Sequence, residues 1–283
     1  MMITNICVTG AGTMGSGIAM CAAQNGYSVI LFDTNEQVVE HAKNSIAKNL
    51  SGLVEKNKIT AEEQIQIINR LIFTHNIENC KASLIIEAII EKVDAKVNLF
   101  NQLASINEST VIFASNTSSL SINLLQSQIE NPERVAGLHF FNPAQIMKLV
   151  EVVKAEQTDE EVIHSLVDLC KALKKTPVVC KDAPGFIVNR VARHYYLEAM
   201  KLVENNLATI ENVDEIMEVS GFKMGPFKLM DLIGNDINLA VTQSLYDAFN
   251  QEHRFLPSEL QINKVKEGKL GRKTGEGFYT YNK

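Results

Sequence analysis

Residues 3–20 read ITNICVTGAGTMGSGIAM, an apolar stretch that leads directly into a glycine-rich turn. Gly10, Gly12 and Gly15 fit the pattern G-x-G-x-x-G, and a second apolar segment ends at Asp33. In such units the glycines permit a sharp turn, close approach of the backbone to a pyrophosphate, and close helix–strand packing. A carboxylate about 20 residues further on binds the ribose hydroxyls. We therefore expect a dinucleotide site on a strand–helix–strand unit, rather than a purely structural turn.

The end of the second strand also indicates which dinucleotide is bound. Asp33 is followed by Thr34 and Asn35, and no arginine follows closely. A carboxylate repels the 2′-phosphate of NADP, which needs an arginine to accommodate it. The sequence therefore predicts NAD as the cofactor.

Short apolar runs alternate with helix-like stretches over the first part of the chain. After the opening strand, strands are predicted over residues 27–32, 71–74, 84–88, 111–115, 135–141, 148–154 and 177–181. Helices are predicted over residues 14–25, 35–55, 61–69, 92–105, 121–129 and 159–174, with Thr60 and Ser121 as N-caps. This alternation is typical of an α/β fold, here a Rossmann-like, doubly wound and mostly parallel sheet.

The pattern becomes almost wholly helical after Pro184 and Gly185. Helices are predicted over residues 186–204, 211–219, 228–249 and 257–267. We therefore predict an NAD-binding Rossmann-like domain over residues 1–184 and an all-α C-terminal substrate and dimerisation domain over residues 185–283.

The helical part has long apolar faces and no sheet of its own. This favours a homodimer, and the alternative is a monomer that closes over its own core. The segment 268–279, GKLGRKTGEGFY, is too rich in glycine for a helix and is predicted to be an ordered loop.

Composition excludes several other classes of protein. The net charge of −6 argues against a general nucleic-acid binder and provides no basic face for a membrane surface. We find no signal peptide and no apolar run long enough to span a bilayer, which favours a cytoplasmic protein. The five cysteines are scattered and form no C-x-x-C pair: Cys7, Cys21, Cys80, Cys170 and Cys180. Neither a disulfide framework nor a metal site is expected.

Polar residues at the ends of the predicted strands are candidates for chemistry, because parallel strands place ligands at their carboxyl ends. His139 follows an apolar strand and precedes two phenylalanines, where an imidazole can shuttle a proton near neutral pH. Glu151 lies between apolar neighbours on the next strand, and a lone buried acid is costly unless it is paired. Two interpretations remain open: Glu151 pairs with His139, or it points to solvent on an edge strand.

Two further residues can hydrogen-bond a substrate oxygen. Ser118 offers a hydroxyl after the fifth strand, and Asn189 offers an amide early in the helical part. The alternatives are that Ser118 caps the following helix and that Asn189 is an ordinary surface residue.

Seven segments together resemble one enzyme family, the short-chain L-3-hydroxyacyl-CoA dehydrogenases, and most closely the bacterial 3-hydroxybutyryl-CoA dehydrogenases. They are GAGTMGSGIA (10–19), IEAIIEKVDAK (86–96), ASNTSSLSI (114–122), GLHFFNPAQIMKLVEVV (137–153), KDAPGFIVNR (181–190), GPFKLMDLIG (225–234) and GRKTGEGFY (271–279). The segments run through the chain in the order that the family has.

The resemblance implies reversible, NAD-linked oxidation of a (3S)-3-hydroxyacyl-CoA to the 3-ketoacyl-CoA. His139 falls on the family's catalytic histidine and Glu151 on its carboxylate partner. Ser118 and Asn189 fall on groups that contact the substrate's 3-oxygen. The implied mechanism is a proton relay in which His139 takes the hydroxyl proton and Glu151 stabilises the imidazolium.

The resemblance also places Glu91, Lys96 and Asn116 on cofactor-contacting positions. The full set of predicted cofactor contacts is Gly10, Gly12, Thr13, Met14, Gly15, Asp33, Glu91, Lys96, Asn116, Ser118, His139 and Asn142.

Two segments depart from the family's usual pattern. The region expected to bind CoA carries Lys48 and Lys56, but Gly52 and Glu55 interrupt the positive run, so the lysines are either CoA ligands or a solvated helix face. The segment 190–196, RVARHYY, is more polar than in butyryl enzymes. It suits either packing between the domains or an acyl chain that is longer or carries a carboxylate.

Three other functions compete with this interpretation. A dehydrogenase of free hydroxy or sugar acids would share the scaffold but would not need CoA. A non-catalytic protein, such as the family-like lens lambda-crystallin, would not need His139 or Glu151, and both are present. FAD binding lacks support because the other segments match a nicotinamide-dependent family.

Overall fold

The computed structural model describes residues 3–281 and divides into two compact units, Met1–Ala183 and Pro184–Lys283. Within the described residues, no helix is both long and apolar enough to cross a membrane. The two units are described in turn.

The first unit is built on one sheet. Its strands, over the described residues, are β1 (Asn5–Thr9), β2 (Ser28–Phe32), β3 (Leu71–Thr74), β4 (Leu84–Glu87), β5 (Ile112–Ser115), β6 (Val135–Phe140), β7 (Leu149–Lys154) and β8 (Thr176–Lys181). They lie in the order β3-β2-β1-β4-β5-β6-β7-β8, and β6 and β7 are the one antiparallel pair among them. The order reverses between β1 and β4, as in a doubly wound fold, and the predicted fold class is confirmed.

Helices connect these strands. They are α1 (Thr13–Gln24), α2 (Glu36–Glu55), α3 (Ala61–Asn69), α4 (Val93–Ile106), α5 (Ile122–Gln126) and α6 (Glu160–Ala172). Both predicted N-caps are confirmed. Thr60 forms a reciprocal capping box with Glu63, and the Ser121 hydroxyl accepts from the N–H of Leu124 at 3.2 Å.

The core of the first unit lies on both faces of the sheet. The residues of β4, β5 and β6 are all buried, as expected for strands covered by helices on each side. Apolar side chains of α1, including Ile18 and Ala22, pack in the same cluster as Val8 and Leu31. This packing holds the carboxyl ends of the parallel strands at one edge of the sheet.

The second unit is helical. It contains, within the described residues, α7 (Val188–Glu204), α8 (Ile210–Val219), α9 (Pro226–Ile233), α10 (Asn235–Ala248) and α11 (Glu259–Lys266). The prediction of an all-α C-terminal part is confirmed. Phe227 and Met230 of α9 pack with Met200 of α7 and with Phe278 in the core of this unit.

One helix prediction is wrong. The single helix expected over residues 228–249 is two helices, α9 and α10, separated by Gly234. Gly234 has φ +104°, which no helix accommodates, and the N–H of Asn235 donates to the carbonyl of Leu270 instead of continuing the helical ladder. The apolar periodicity continued across the break, so the sequence pattern concealed it.

The C-terminal segment is an ordered loop, as predicted. It contains two isolated β-bridges, between Gly271 and Glu276 and between Glu276 and Thr280. The carboxylate of Asp231, 1% exposed, accepts from the N–H groups of Phe278 and Tyr279, each at 2.9 Å. The loop is thus tied to α9 by a buried carboxylate.

Candidate active site

The antiparallel pairing of β6 and β7 brings the proposed proton-relay residues together. His139 and Glu151 are directly opposite in the register, so both side chains lie on the same face of the sheet. Nδ1 of His139 is 2.8 Å from Oε2 of Glu151, and the two residues are 5% and 1% exposed. Because β8 covers the outer side of β7, Glu151 is not on an edge strand. The structure has the paired arrangement, and the solvent-facing alternative is wrong.

The contact between these two side chains determines which ring nitrogen of His139 can exchange a proton. A carboxylate that accepts from Nδ1 fixes the ring's orientation and favours the tautomer whose proton is on Nδ1. Nε2 is then the ring nitrogen able to exchange a proton with another group. The ring of Phe141 packs beside the imidazole, with the ring centres 4.5 Å apart. The arrangement suits a general base near the end of a parallel strand.

The turn after β5 carries Ser118. Asn116 links this turn to the neighbouring strand, because its Oδ1 accepts from the N–H of Phe140 at 2.8 Å, one residue after His139. The N–H of Ser118 donates to Oε1 of Glu91 at 3.1 Å. The turn therefore lies beside the strand end that carries the imidazole.

Glu91 also belongs to an ion network at the end of β4, whose other two members are buried. Nζ of Lys96, 1% exposed, lies 2.6 Å from Oε1 of Glu87 and 3.1 Å from Oε2 of Glu91. Glu87 is fully buried, and its Oε2 accepts from the hydroxyl of Ser115 at 2.6 Å. Sequence reasoning did not single out Glu87, although an acid at the end of an apolar strand is a signal that could have found it.

The glycine turn has the geometry that close backbone approach requires. Gly10 has φ +94°, and an added Cβ would lie 2.5 Å from the carbonyl oxygen of Ala88. At Gly15 an added Cβ would lie 1.7 Å from the carbonyl oxygen of Gly10. At Gly12 nothing lies within 4 Å of that position. The space above Gly12 is therefore open to a ligand, while the other two glycines are required by the fold.

A cleft of about 510 Å³ lies between this turn, α2 and the loop after β6. Gly12, Thr13 and Asn142 are among its lining residues. Gly12 caps α1 without a side chain, so the N–H donors of the first helical turn have no side-chain cap. Donors of this kind bind pyrophosphate. Met14, next in the turn, is half-buried.

Asp33 is held at the end of β2 by two backbone donors. Its Oδ2 accepts from the N–H of Ala11 at 2.9 Å, and its Oδ1 accepts from the N–H of Asn35 at 3.0 Å. Each carboxylate oxygen can accept a further hydrogen bond. The open glycine turn, the uncapped helix and this oriented carboxylate together fit a dinucleotide with free ribose hydroxyls.

The remaining predicted site residues lie elsewhere. Lys48 and Lys56 are exposed at and near the end of α2, whose face towards the cleft includes Ser45 and Asn49. Lys56 follows Asn49 by seven residues and so lies close to the same helix face. Asn189 belongs to the second unit, where it is the second residue of α7 and is half-buried.

Two family models together match nearly the whole chain. The model of the 3-hydroxyacyl-CoA dehydrogenase NAD binding domain matches residues 5–183, and that of the 3-hydroxyacyl-CoA dehydrogenase C-terminal domain matches residues 185–281. The chain belongs to the 3-hydroxyacyl-CoA dehydrogenase family. This confirms the resemblance, the prediction of an NAD-dependent oxidoreductase of this family, and NAD as the cofactor.

Similar proteins carry the family's names. The chain is 46% identical over 281 residues to a 3-hydroxyadipyl-CoA dehydrogenase of Escherichia coli, covering 99% of this chain and 59% of that protein. It is 40% identical to the mitochondrial hydroxyacyl-coenzyme A dehydrogenase of Rattus norvegicus, covering 99% and 92%. The crystal structure of a (S)-3-hydroxybutyryl-CoA dehydrogenase from Ralstonia eutropha superposes with a TM-score of 0.94 at 36% identity, covering 99% of this chain and 100% of that one.

The glycine turn gives a first prediction within this family. Gly15→Ala is expected to lower the free energy of unfolding by more than about 4 kcal/mol, because a methyl group cannot fit 1.7 Å from a backbone oxygen. Gly12→Ala is the matched control, since its methyl group meets open space and its backbone is extended. The control should keep the free energy of unfolding and lose NADH affinity. Chemical unfolding and NADH titration check both, and equal stability of the two variants would contradict the prediction.

Proposed function

We propose that the chain interconverts a (3S)-3-hydroxyacyl-CoA and the 3-ketoacyl-CoA. The observation that carries this proposal is the buried contact between His139 and Glu151 beside the carboxyl end of a parallel strand. A non-catalytic member of the family would have no need of a buried imidazole–carboxylate pair.

The proposed proton relay follows from the roles of the two side chains. Held by the glycine turn and Asp33, NAD would supply the hydride acceptor for oxidation, and its reduced form would supply the hydride for reduction. Nε2 of His139 takes the proton of the substrate's 3-hydroxyl group, and Glu151 stabilises the imidazolium that results. In the reverse direction the imidazolium protonates the 3-oxygen. We assign to Ser118 and Asn189 the hydrogen bonds that hold this oxygen.

The cofactor and CoA contacts are proposed from the same site. For NAD we propose the glycine turn, the strand-end carboxylate and the polar residues of the turns: Gly10, Gly12, Thr13, Met14, Gly15, Asp33, Glu91, Lys96, Asn116, Ser118, His139 and Asn142. For CoA we propose Lys48 and Lys56, whose positive charges suit its phosphates and which lie on or beside the helix that lines the cleft.

Among the 3-hydroxyacyl-CoA thioesters, we propose 3-hydroxybutyryl-CoA as the substrate of this protein. The polar segment after Asn189 does not require a carboxylated acyl chain. Arg193 is 3% exposed, and its guanidinium donates to the side chain of Thr242 and to the carbonyl of Asn238 inside the second unit. Its burial lowers its pKa to about 10. Hydrogen bonds within the second unit thus account for the arginine at position 193.

The test compares acetoacetyl-CoA with free acetoacetate, following the loss of NADH absorbance. The CoA thioester should be reduced far more efficiently, and equal rates with the free acid would disprove CoA dependence. A series of 3-ketoacyl-CoA chain lengths, with 3-ketoadipyl-CoA included, then fixes the acyl preference.

Cofactor choice gives a second prediction. The enzyme should prefer NAD(H) over NADP(H) by about 100-fold or more in kcat/KM, since two like charges about 4 Å apart repel by about 4 kcal/mol at a protein surface. Asp33→Asn should reduce this ratio, because the amide keeps an acceptor oxygen and loses the charge. Steady-state kinetics with both cofactors checks this. Comparable efficiency in the unmodified protein would refute it.

We also propose the division of labour between the units. The boundary near residue 184 would separate cofactor binding from substrate binding and homodimer formation. Large apolar side chains of the second unit are exposed, among them Val191 (67%), Leu207 (71%) and Val219 (80%). Such surfaces suit a partner copy, and sedimentation velocity would detect it. The cytoplasmic location stays a prediction.

A further inference from the structure

The carboxylate of Glu91 gathers several donors from the turn that carries Ser118. Its Oε1 accepts from the hydroxyl of Thr117, from the N–H of Ser118 at 3.1 Å, and from the N–H and hydroxyl of Ser119 at 3.3 and 3.0 Å. The other oxygen, Oε2, contacts Lys96. One side chain thus fixes three consecutive residues of the turn.

Lys96 contacts two carboxylates, and these differ in their exposure to solvent. Glu87 is fully buried, and its carboxylate accepts from the hydroxyl of Ser115 and from the N–H of Ile89. The side chain of Glu91 is 37% exposed and can turn towards water. Without the ammonium, two negative charges would face the same buried position, which is strongly unfavourable. The side chain of Glu91 would therefore turn away from this position towards solvent.

The ionisation of Glu91 depends on the same neighbour. Burial alone would raise its pKa, but the charge of Lys96 and the hydrogen bonds from Thr117, Lys96 and Ser119 outweigh burial and lower it. An ionised carboxylate is an acceptor at both oxygens, which is what the turn requires. Lys96 therefore supports both the position and the charge of Glu91.

We propose that Lys96 is a positioning residue for Ser118: its ammonium, held between Glu87 and Glu91, keeps Glu91 bound to the Thr117–Ser119 turn. The proposal rests on the proposed function only in that Ser118 binds the substrate oxygen. It is compatible with a cofactor contact, because the ammonium has three donors and its partners among the described residues use two.

The test is a double-mutant cycle with Ser118. Lys96→Met should lower kcat by about 10- to 100-fold through misplacement of the turn. In a Ser118→Ala background the same change should lower kcat by no more than about twofold. Each variant removes the same interaction, the contact of Ser118 with the substrate oxygen, and it can be lost only once. Lys96→Met/Glu87→Gln should recover most of the lost rate, since the like charges no longer face each other. All rates are measured at saturating NADH, so that a lost cofactor contact raises KM for NADH without lowering kcat.

Controls separate this role from a direct cofactor contact. Lys92→Met is the matched control, because Lys92 is exposed and four residues away, and it should leave kcat and KM unchanged. Glu91→Ala is a variant that keeps the buried pair of Glu87 and Lys96, and it should reproduce the cycle with Ser118→Ala if Lys96→Met does not fold. The proposal would be overturned if Lys96→Met or Glu91→Ala lowered kcat by the same factor in the Ser118→Ala background as in the unmodified protein.

Two further outcomes would also overturn it: an unchanged kcat in folded Lys96→Met at saturating NADH, or a loss of kcat that Glu87→Gln does not reverse. Failure of the proposed function is a separate result, because the unmodified protein would then not reduce acetoacetyl-CoA in preference to free acetoacetate.

Discussion

His139→Gln is expected to lower kcat by about 10²- to 10⁴-fold, the usual contribution of a positioned general acid–base group. Glutamine is close in size and can still hydrogen-bond Glu151, but it cannot carry a proton between substrate and solvent. NADH affinity should be nearly unchanged, because the glycine turn and Asp33 are not altered. Stopped-flow reduction of acetoacetyl-CoA and NADH fluorescence titration measure the two quantities.

The control for this variant is His164→Gln, which makes the same change at an exposed position of α6. It should keep wild-type kinetics. Turnover of His139→Gln at the level of this control would show that the base is misassigned, whereas a parallel loss of NADH affinity would indicate a disturbed fold.

Glu151→Gln is expected to lower kcat by about 10²- to 10⁴-fold, by analogy with the loss of about 10⁴ when the aspartate of a serine-protease triad becomes asparagine. An amide can donate to Nδ1 and so favour the other tautomer, in which Nε2 carries the proton and cannot accept one. It also removes the negative charge that stabilises the imidazolium. The measurements are kcat with acetoacetyl-CoA and the imidazole N–H resonances in the NMR spectrum.

Glu156→Gln provides the comparison, since Glu156 is exposed beyond the end of β7. The prediction requires that the Glu151 variant unfolds at nearly the same temperature as this control, because glutamine has almost the same volume. A Glu151 variant with full turnover would mean that the carboxylate only stabilises the fold.

The sequence predicted the strand ends because its signals there are local. The glycine turn, the carboxylate at Asp33 and the apolar run before His139 each lie within a few residues of the element that they define. The alternation of strands and helices then sufficed for a doubly wound sheet. The prediction that Glu151 pairs with His139 remained open, because a strand's direction and register are not written in its own residues.

Non-local contacts account for the rest. The break at Gly234 depends on a carbonyl that lies 36 positions along the chain from it, and the apolar pattern ran through it unchanged. The role of Glu87 depends on Lys96, nine residues further along the chain, and the strand pattern alone does not show which side chain pairs with the acid. Family resemblance supplied residue roles that spacing alone did not.

The reversed direction of β7 means that alignment of the imidazole with its acid is a property of strand register. Moving β7 by a single position would turn every side chain of that strand to the other face and carry Glu151 to the opposite side of the sheet. The loop from Phe141 to Lys148 joins these two strands, so a change in its length could shift the register on which the proposed relay depends. Insertions there should be far less tolerable than in the solvent-facing connections, even where no functional side chain is touched.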